Sequence, residues 1–190
     1  RRFLRHHEPV KLRRGRAMVR HVVLTGGPGA GKSTLLREAE RAGLTTSPEV
    51  ARALLKQPGG MALRANDPLG FADAMLAAHL AEYERFQEVQ APVVFDRGFP
   101  DVVGFLEVSG LAVPDDIDRV CRMVRYHGPV LRAPAWREIY RPDSERTQDW
   151  DQAAESDRAV TAAWRHYGYV VEDLPLASVS DRLAFLRAQL

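Results

Sequence analysis

Two periods alternate along the chain. Short, nearly unbroken apolar runs are separated by stretches in which apolar residues return every three or four positions. Residues 21–25, His-Val-Val-Leu-Thr, predict a first strand, and 32–42 a helix stopped by Gly43. Residues 44–47 read as a short second strand ended by Pro48, and 49–56 as a helix. Gln57-Pro58-Gly59-Gly60 is then a clear break. Asp67-Pro68 reads as an N-cap with proline at the first helical position. It opens a long amphipathic helix to about residue 90, with Phe71, Met75, Leu76, His79, Leu80, Tyr83 and Phe86 at the repeating positions.

Residues 92–96, Pro-Val-Val-Phe-Asp, form a compact apolar run suited to the centre of a parallel sheet covered on both faces. Helical segments follow at 101–108, broken by Ser109-Gly110, and from Pro114-Asp115-Asp116 to about residue 126. Residues 129–132 predict a fourth strand, 150–166 a helix and 169–173 a fifth strand. Residues 180–190 close the chain as a helix capped by Ser178 or Ser180. Helix-length crossovers between strands imply an α/β class fold. We expect a three-layer αβα arrangement around a parallel sheet of about five strands, with ligands at the strands' carboxyl ends.

The turn after the first strand carries the chemistry. Gly26-Gly27-Pro28-Gly29-Ala30-Gly31-Lys32-Ser33 fits G-x-x-x-x-G-K-[ST] at every fixed position, between a strand and a helix. Glycines let main-chain N–H groups approach phosphate oxygens, and the following helix aims its positive end at the same anion. The pattern predicts a nucleoside triphosphate bound by Gly27, Gly29, Ala30, Gly31, Lys32, Ser33 and Thr34. Lys32 would reach the β- and γ-phosphates, and the Ser33 hydroxyl would ligate Mg²⁺.

Asp96 ends its apolar strand as a Walker B acid does, so Ser33 and Asp96 are the expected metal ligands. Arg97, in Asp-Arg-Gly, would contact an acceptor phosphate or pair with a neighbouring acid. Glu49 lies just past the second strand, where an acceptor would bind, and could take the proton of an attacking hydroxyl. It could equally be an acid favoured in a helix's first turn. Arg52, one turn on, would bind the acceptor or pair with Glu49.

The segment 132–147 is rich in arginine and proline, without clear periodicity. Phosphoryl-transfer enzymes carry a lid there, whose cations offset charge on the transferred group. Arg141 and Arg146 are the expected lid arginines, against the plainer reading of a solvated loop. His79 and Tyr83 share a helix face and either touch an acceptor or pack in the core. There is no H-x-x-x-H metal spacing and no nucleophile elbow.

Charge changes the picture only at the N-terminus. The net charge of +2 hides an uneven split, since residues 1–20 hold eight of the 27 basic residues and only one acid. The rest of the chain has 19 basic and 24 acidic residues, a net of −5. We expect residues 1–17 to be a disordered basic extension, either lying upstream of a start at Met18 or a solvated arm, in preference to a nucleic-acid arm or a transit peptide, and 18–190 to form the nucleotide-binding domain. Nucleic acid is not an expected partner, because no aromatic-basic patch accompanies the tail. No apolar run approaches the ~20 residues of a membrane span. The one cysteine, Cys121, excludes an internal disulfide and fits a reducing, cytoplasmic setting. The oligomeric state is not legible.

The P-loop, together with Pro48-Glu49-Val50-Ala51-Arg52, Phe95-Asp96-Arg97-Gly98-Phe99-Pro100-Asp101 and Ala133-Pro134-Ala135-Trp136-Arg137-Glu138-Ile139-Tyr140-Arg141, resembles a bacterial "AAA domain" family of small predicted ATPases. Its members look more like nucleoside and nucleotide kinases than ring ATPases. A ribosylnicotinamide kinase domain looks like a relative. The resemblance, over about residues 19–190, implies a P-loop kinase-like fold with an arginine-bearing lid. It also implies ATP or GTP with Mg²⁺, and phosphoryl transfer to a small hydroxylated, nucleoside-like metabolite. The sensor arginines and second helical domain of ring ATPases have no counterpart in the sequence. The alternative is a nucleotide-gated switch or regulatory ATPase or GTPase without a small-molecule acceptor.

Overall fold

The computed structural model describes residues 20–141 and 149–190. The elements run β1 (His21–Thr25), α1 (Lys32–Arg41), β2 (Thr45–Thr46), α2 (Val50–Lys56), α3 (Gly60–Asn66), α4 (Pro68–Phe86), β3 (Val93–Asp96), α5 (Phe99–Val108), α6 (Asp115–Met123), β4 (Val130–Arg132), α7 (Trp150–His166), β5 (Val171–Asp173) and α8 (Val179–Arg187). The strands form one sheet in the order β2-β3-β1-β4-β5, and every pairing is parallel. The expected five-stranded αβα fold is therefore the one formed.

The central strands are buried on both faces, which is why they read as continuous apolar runs. Val22 and Leu24 of β1 join Leu35, Leu131 and Leu186 in a core layer with α1 and α8. Val23 points the other way, into a larger layer holding Phe71, Phe95, Phe99, Tyr126 and Trp164 under α4, α5 and α7. Helices α5 and α7 meet closely at Gly104, where a Cβ would lie 2.7 Å from the Val160 Cα.

The sequence pattern misses α3. Pro58-Gly59-Gly60 does break the chain, with Gly59 at φ +80°. The residues up to Asn66 are good helix formers, however, and close two further turns. The Asp67 side chain then caps α4 by accepting from the Gly70 N–H at 2.9 Å, as Asp-Pro predicts. Elsewhere the ends shift by a few residues: α4 stops at Phe86 rather than near 90, and α8 starts at Val179 with Ser178 as its cap.

The phosphate-binding turn leaves β1 between β3 and β4, where the sheet's winding changes direction. That is the crevice in which open parallel sheets bind ligands.

Candidate functional site

Residues 26–31 carry the chain from β1 into α1. Gly29 and Gly31 take φ of +73° and +80°, which glycine adopts without a Cβ penalty. A Cβ would also meet the Tyr140 ring at 2.5 Å from Gly29, and the Arg182 guanidinium at 2.7 Å from Gly31. The buried Lys32 folds back on the loop, with Nζ donating to the Gly26 carbonyl at 2.9 Å and the Gly27 carbonyl at 2.6 Å. Ala30 is buried, and its carbonyl accepts from Arg182 Nη1 at 3.0 Å. Gly29, Gly31, Lys32, Ser33 and Thr34 line a cavity of about 460 Å³, together with Arg141 and Arg182. No acid is among its described lining residues, and the α1 N-terminus opens into it. An anion is the matching occupant.

Asp96 closes β3 in register with Leu24 of β1. Its main-chain N–H donates to Ser47 Oγ at 3.0 Å. The carboxylate is buried, and Oδ1 has no hydrogen-bond partner. Burial, and then the charge of Glu49, push the carboxyl up to about 6. An orphaned carboxylate oxygen beside the P-loop, with a serine hydroxyl at the start of α1, suits a hard cation such as Mg²⁺. That ion is typically held by one or two carboxylates together with substrate phosphates and water. Among the described residues, no cluster of three or more His, Cys, Asp or Glu could hold a metal by itself.

Glu49 and Arg97 meet at the end of the neighbouring strand. Glu49 is the N-cap residue of α2, but its side chain accepts no capping hydrogen bond. It pairs instead with Arg52 Nε at 3.2 Å and approaches Arg97 Nε at 3.9 Å. Arg97 has φ +69°, a left-handed conformation unfavourable for a side chain with a Cβ. Its N–H donates to Leu24 O at 2.9 Å, and Nη1 donates to Asp101 Oδ1 at 2.9 Å. Burial pulls its guanidinium down, but Asp101, Glu49 and Asp96 together hold it above its usual value. Strain held this firmly is characteristic of functional positions.

Glu49, Arg52 and Arg97 line a second cavity of about 240 Å³, beside Pro28 of the P-loop. Its apolar wall includes Phe71, Met75, Val102 and Phe105, and Arg64 borders it. His79 also lines it, and burial lowers its pKa to about 4, so the ring is neutral. Tyr83 does not share this role: it lies in the core and donates from its hydroxyl to Arg125 O at 3.0 Å. The two halves of that predicted pair thus separate into one cavity residue and one packing residue.

Of the arginines at and after the end of β4, Arg132 is a structural cation, with Nη2 2.6 Å from Asp157 Oδ2 and Nη1 3.2 Å from Asp173 Oδ1. The Arg137 guanidinium lies 5.2 Å from the Trp150 ring centre. Arg141 donates to the carbonyls of Glu138 and Tyr140 and borders the P-loop cavity. Arg146 and the N-terminal extension lie outside the described residues.

Three residues that sequence reasoning did not single out shape this site. Asp101 accepts from Thr25 Oγ1 (2.6 Å), Arg97 Nη1 (2.9 Å), Trp164 Nε1 (2.9 Å) and the Gly98 N–H (3.0 Å). Asp157 accepts the Gly27 N–H at 3.2 Å while holding Arg132. Arg182 is buried with Nε and Nη2 unpartnered, and burial lowers its pKa. The sequence separations of these contacts, 63 and 76 residues for two Asp101 bonds, 130 for Gly27–Asp157 and 152 for Ala30–Arg182, leave no local signal to read.

A family model described as an AAA domain matches residues 21–182. Among solved structures, deoxyadenosine kinase from M. mycoides with bound dATP superposes with a TM-score of 0.68 at 15% identity, over 88% of this chain and 97% of that one. NadR protein in complex with NR gives 0.64 at 16% identity, over 90% of this chain and 50% of that one. Thymidylate kinase from Candida albicans gives 0.63 at 11% identity, over 90% of both chains. No curated protein matches the sequence. At these identities the likeness is one of fold, and the fold is that of P-loop kinases. Among the described residues, no helix is long and apolar enough to cross a membrane.

Proposed function

The chain belongs to the AAA-domain family, and from that premise we propose that it is a Mg²⁺-dependent kinase. It would move the γ-phosphoryl group of ATP or GTP to a small hydroxylated, nucleoside-like metabolite. One observation carries this reading: two cavities flank the P-loop, one lined by Lys32 and Ser33 with no acid among its described lining residues, the other headed by the Glu49 carboxylate. A triphosphate donor fits the first and a hydroxyl acceptor the second. A switch that only holds a nucleotide has no need of the second. The names of two similar structures, a deoxyadenosine kinase and a thymidylate kinase, agree with it.

The donor's phosphates would lie against the N–H groups of residues 27–33, with Lys32 Nζ exchanging loop carbonyls for phosphate oxygens. Mg²⁺, held by Ser33 and Asp96 when bound, supplies positive charge against the phosphates. Glu49, oriented by Arg52 and Arg97, accepts the acceptor's hydroxyl proton as that oxygen forms its bond to the γ-phosphorus. The bond from that phosphorus to the β-phosphate oxygen breaks, and the nucleoside diphosphate leaves. Arg97 offsets charge on the transferring group. Arg141, beside the donor cavity, is a further candidate for that task.

The test is a phosphorylation assay over a panel of hydroxylated metabolites, neutral and anionic, with ATP and with GTP, read by diphosphate release and product mass. Acceptor-dependent release with one phosphoryl group gained by the product is the expected result. Tight nucleotide binding with transfer to no acceptor would favour the switch.

A further inference from the structure

Among the described residues, the wall of the acceptor cavity is not electrically balanced: two carboxylates, Glu49 and Asp101, stand against three guanidiniums, Arg52, Arg64 and Arg97. Both carboxylates are engaged, Asp101 by Arg97 and Trp164, and Glu49 by Arg52 and Arg97. His79, its pKa lowered to about 4, adds no charge near neutral pH. Arg64 is left over. It is half-buried on α3, its guanidinium carbon 6.0 Å from the Phe105 ring centre, and no carboxylate among the described residues pairs with it. Burial holds its pKa below the usual value, as expected of a cation removed from water without a counter-ion.

We propose that the phosphoryl acceptor is itself an anion: besides its hydroxyl it carries a carboxylate or phosphate, which Arg64 binds. A planar guanidinium takes either group through two parallel hydrogen bonds, and the ring of Phe105 beneath it keeps water from one face. Phe71 and Met75 face the acceptor's apolar body, leaving its hydroxyl to Glu49. The inference rests on the kinase reading and deepens it.

The test does not require the acceptor's name. A small-molecule cell extract is split on an anion exchanger into retained and flow-through fractions, and each is offered with ATP and Mg²⁺ to the wild-type protein and to Arg64→Met. Acceptor-dependent ADP release should appear with the retained fraction. It should fall roughly 10–100-fold in Arg64→Met, the range for losing a charged hydrogen-bonding partner. Melting curves and ATP binding should match the wild type. Phosphatase pretreatment of the retained fraction separates the two chemistries, abolishing activity for a phosphate and sparing it for a carboxylate. Transfer to the flow-through fraction, or an undiminished rate in Arg64→Met, would overturn the inference and leave the kinase standing. Transfer with neither fraction would overturn both.

Discussion

The main-chain N–H of Gly27 donates to Asp157 Oδ1 at 3.2 Å, across 130 residues of sequence. The same buried carboxylate takes Arg132 Nη2 at 2.6 Å. One side chain on α7 therefore ties the P-loop to the end of β4.

Asp157→Ala should accordingly cost about 2–4 kcal/mol of stability, because Arg132 keeps only its more exposed partner, Asp173. Asp173→Ala should stay within about 1 kcal/mol, as for other exposed pairs. Urea unfolding of the two variants gives the comparison. Equal losses would mean that Asp157 is no brace.

Arg182 should behave in the opposite way. A buried guanidinium with two unpartnered nitrogens and, among the described residues, the Ala30 carbonyl as its one partner is costly in the empty protein. Arg182→Met should raise the nucleotide-free stability by roughly 1–2 kcal/mol. ATP affinity should fall while adenosine affinity holds, since the lost charge acts on phosphates. Melting curves with and without each compound test both signs.

Asp96 gives a pH signature. Its carboxyl titrates near 6 in the folded protein against about 3.9 unfolded. Between those values the folded state holds the additional proton, so the nucleotide-free protein loses stability as pH rises from about 4 to about 6. Asp96→Asn carries no charge to bury. It should be more stable than the wild type by about 2–3 kcal/mol at pH 8. The two should converge near pH 4. Urea unfolding at pH 4, 6 and 8 measures this, and a constant difference across the range would contradict it.

What the sequence made legible follows the range of its signals. The P-loop between strand and helix, the apolar strand ending in Asp96, and the Asp67-Pro68 start of α4 are local patterns, and all stand where the sequence implied. The helix α3 was hidden because Gly59 and Gly60 mark a break without revealing that the chain resumes a helix beyond it. Asp101 and Asp157 look like ordinary helix acids until folding brings Trp164 and Gly27 to them. Asp-Arg-Gly likewise does not announce that the left-handed residue is Arg97 rather than the glycine beside it. The arginines from the end of β4 onward form a local cluster, but their partners are set by the fold, which is why Arg132 is bound to Asp157 and Asp173.

The central claim is that Glu49 activates an acceptor hydroxyl. Glu49→Gln keeps the side chain's size and removes its basicity, and single-turnover transfer from ATP is the direct measurement. The account predicts that nucleotide binding and melting stay close to wild type while transfer falls on the order of 10²-fold or more. A transfer rate equal to wild type, with or without a small change in stability, would remove Glu49 from the chemistry and contradict the account.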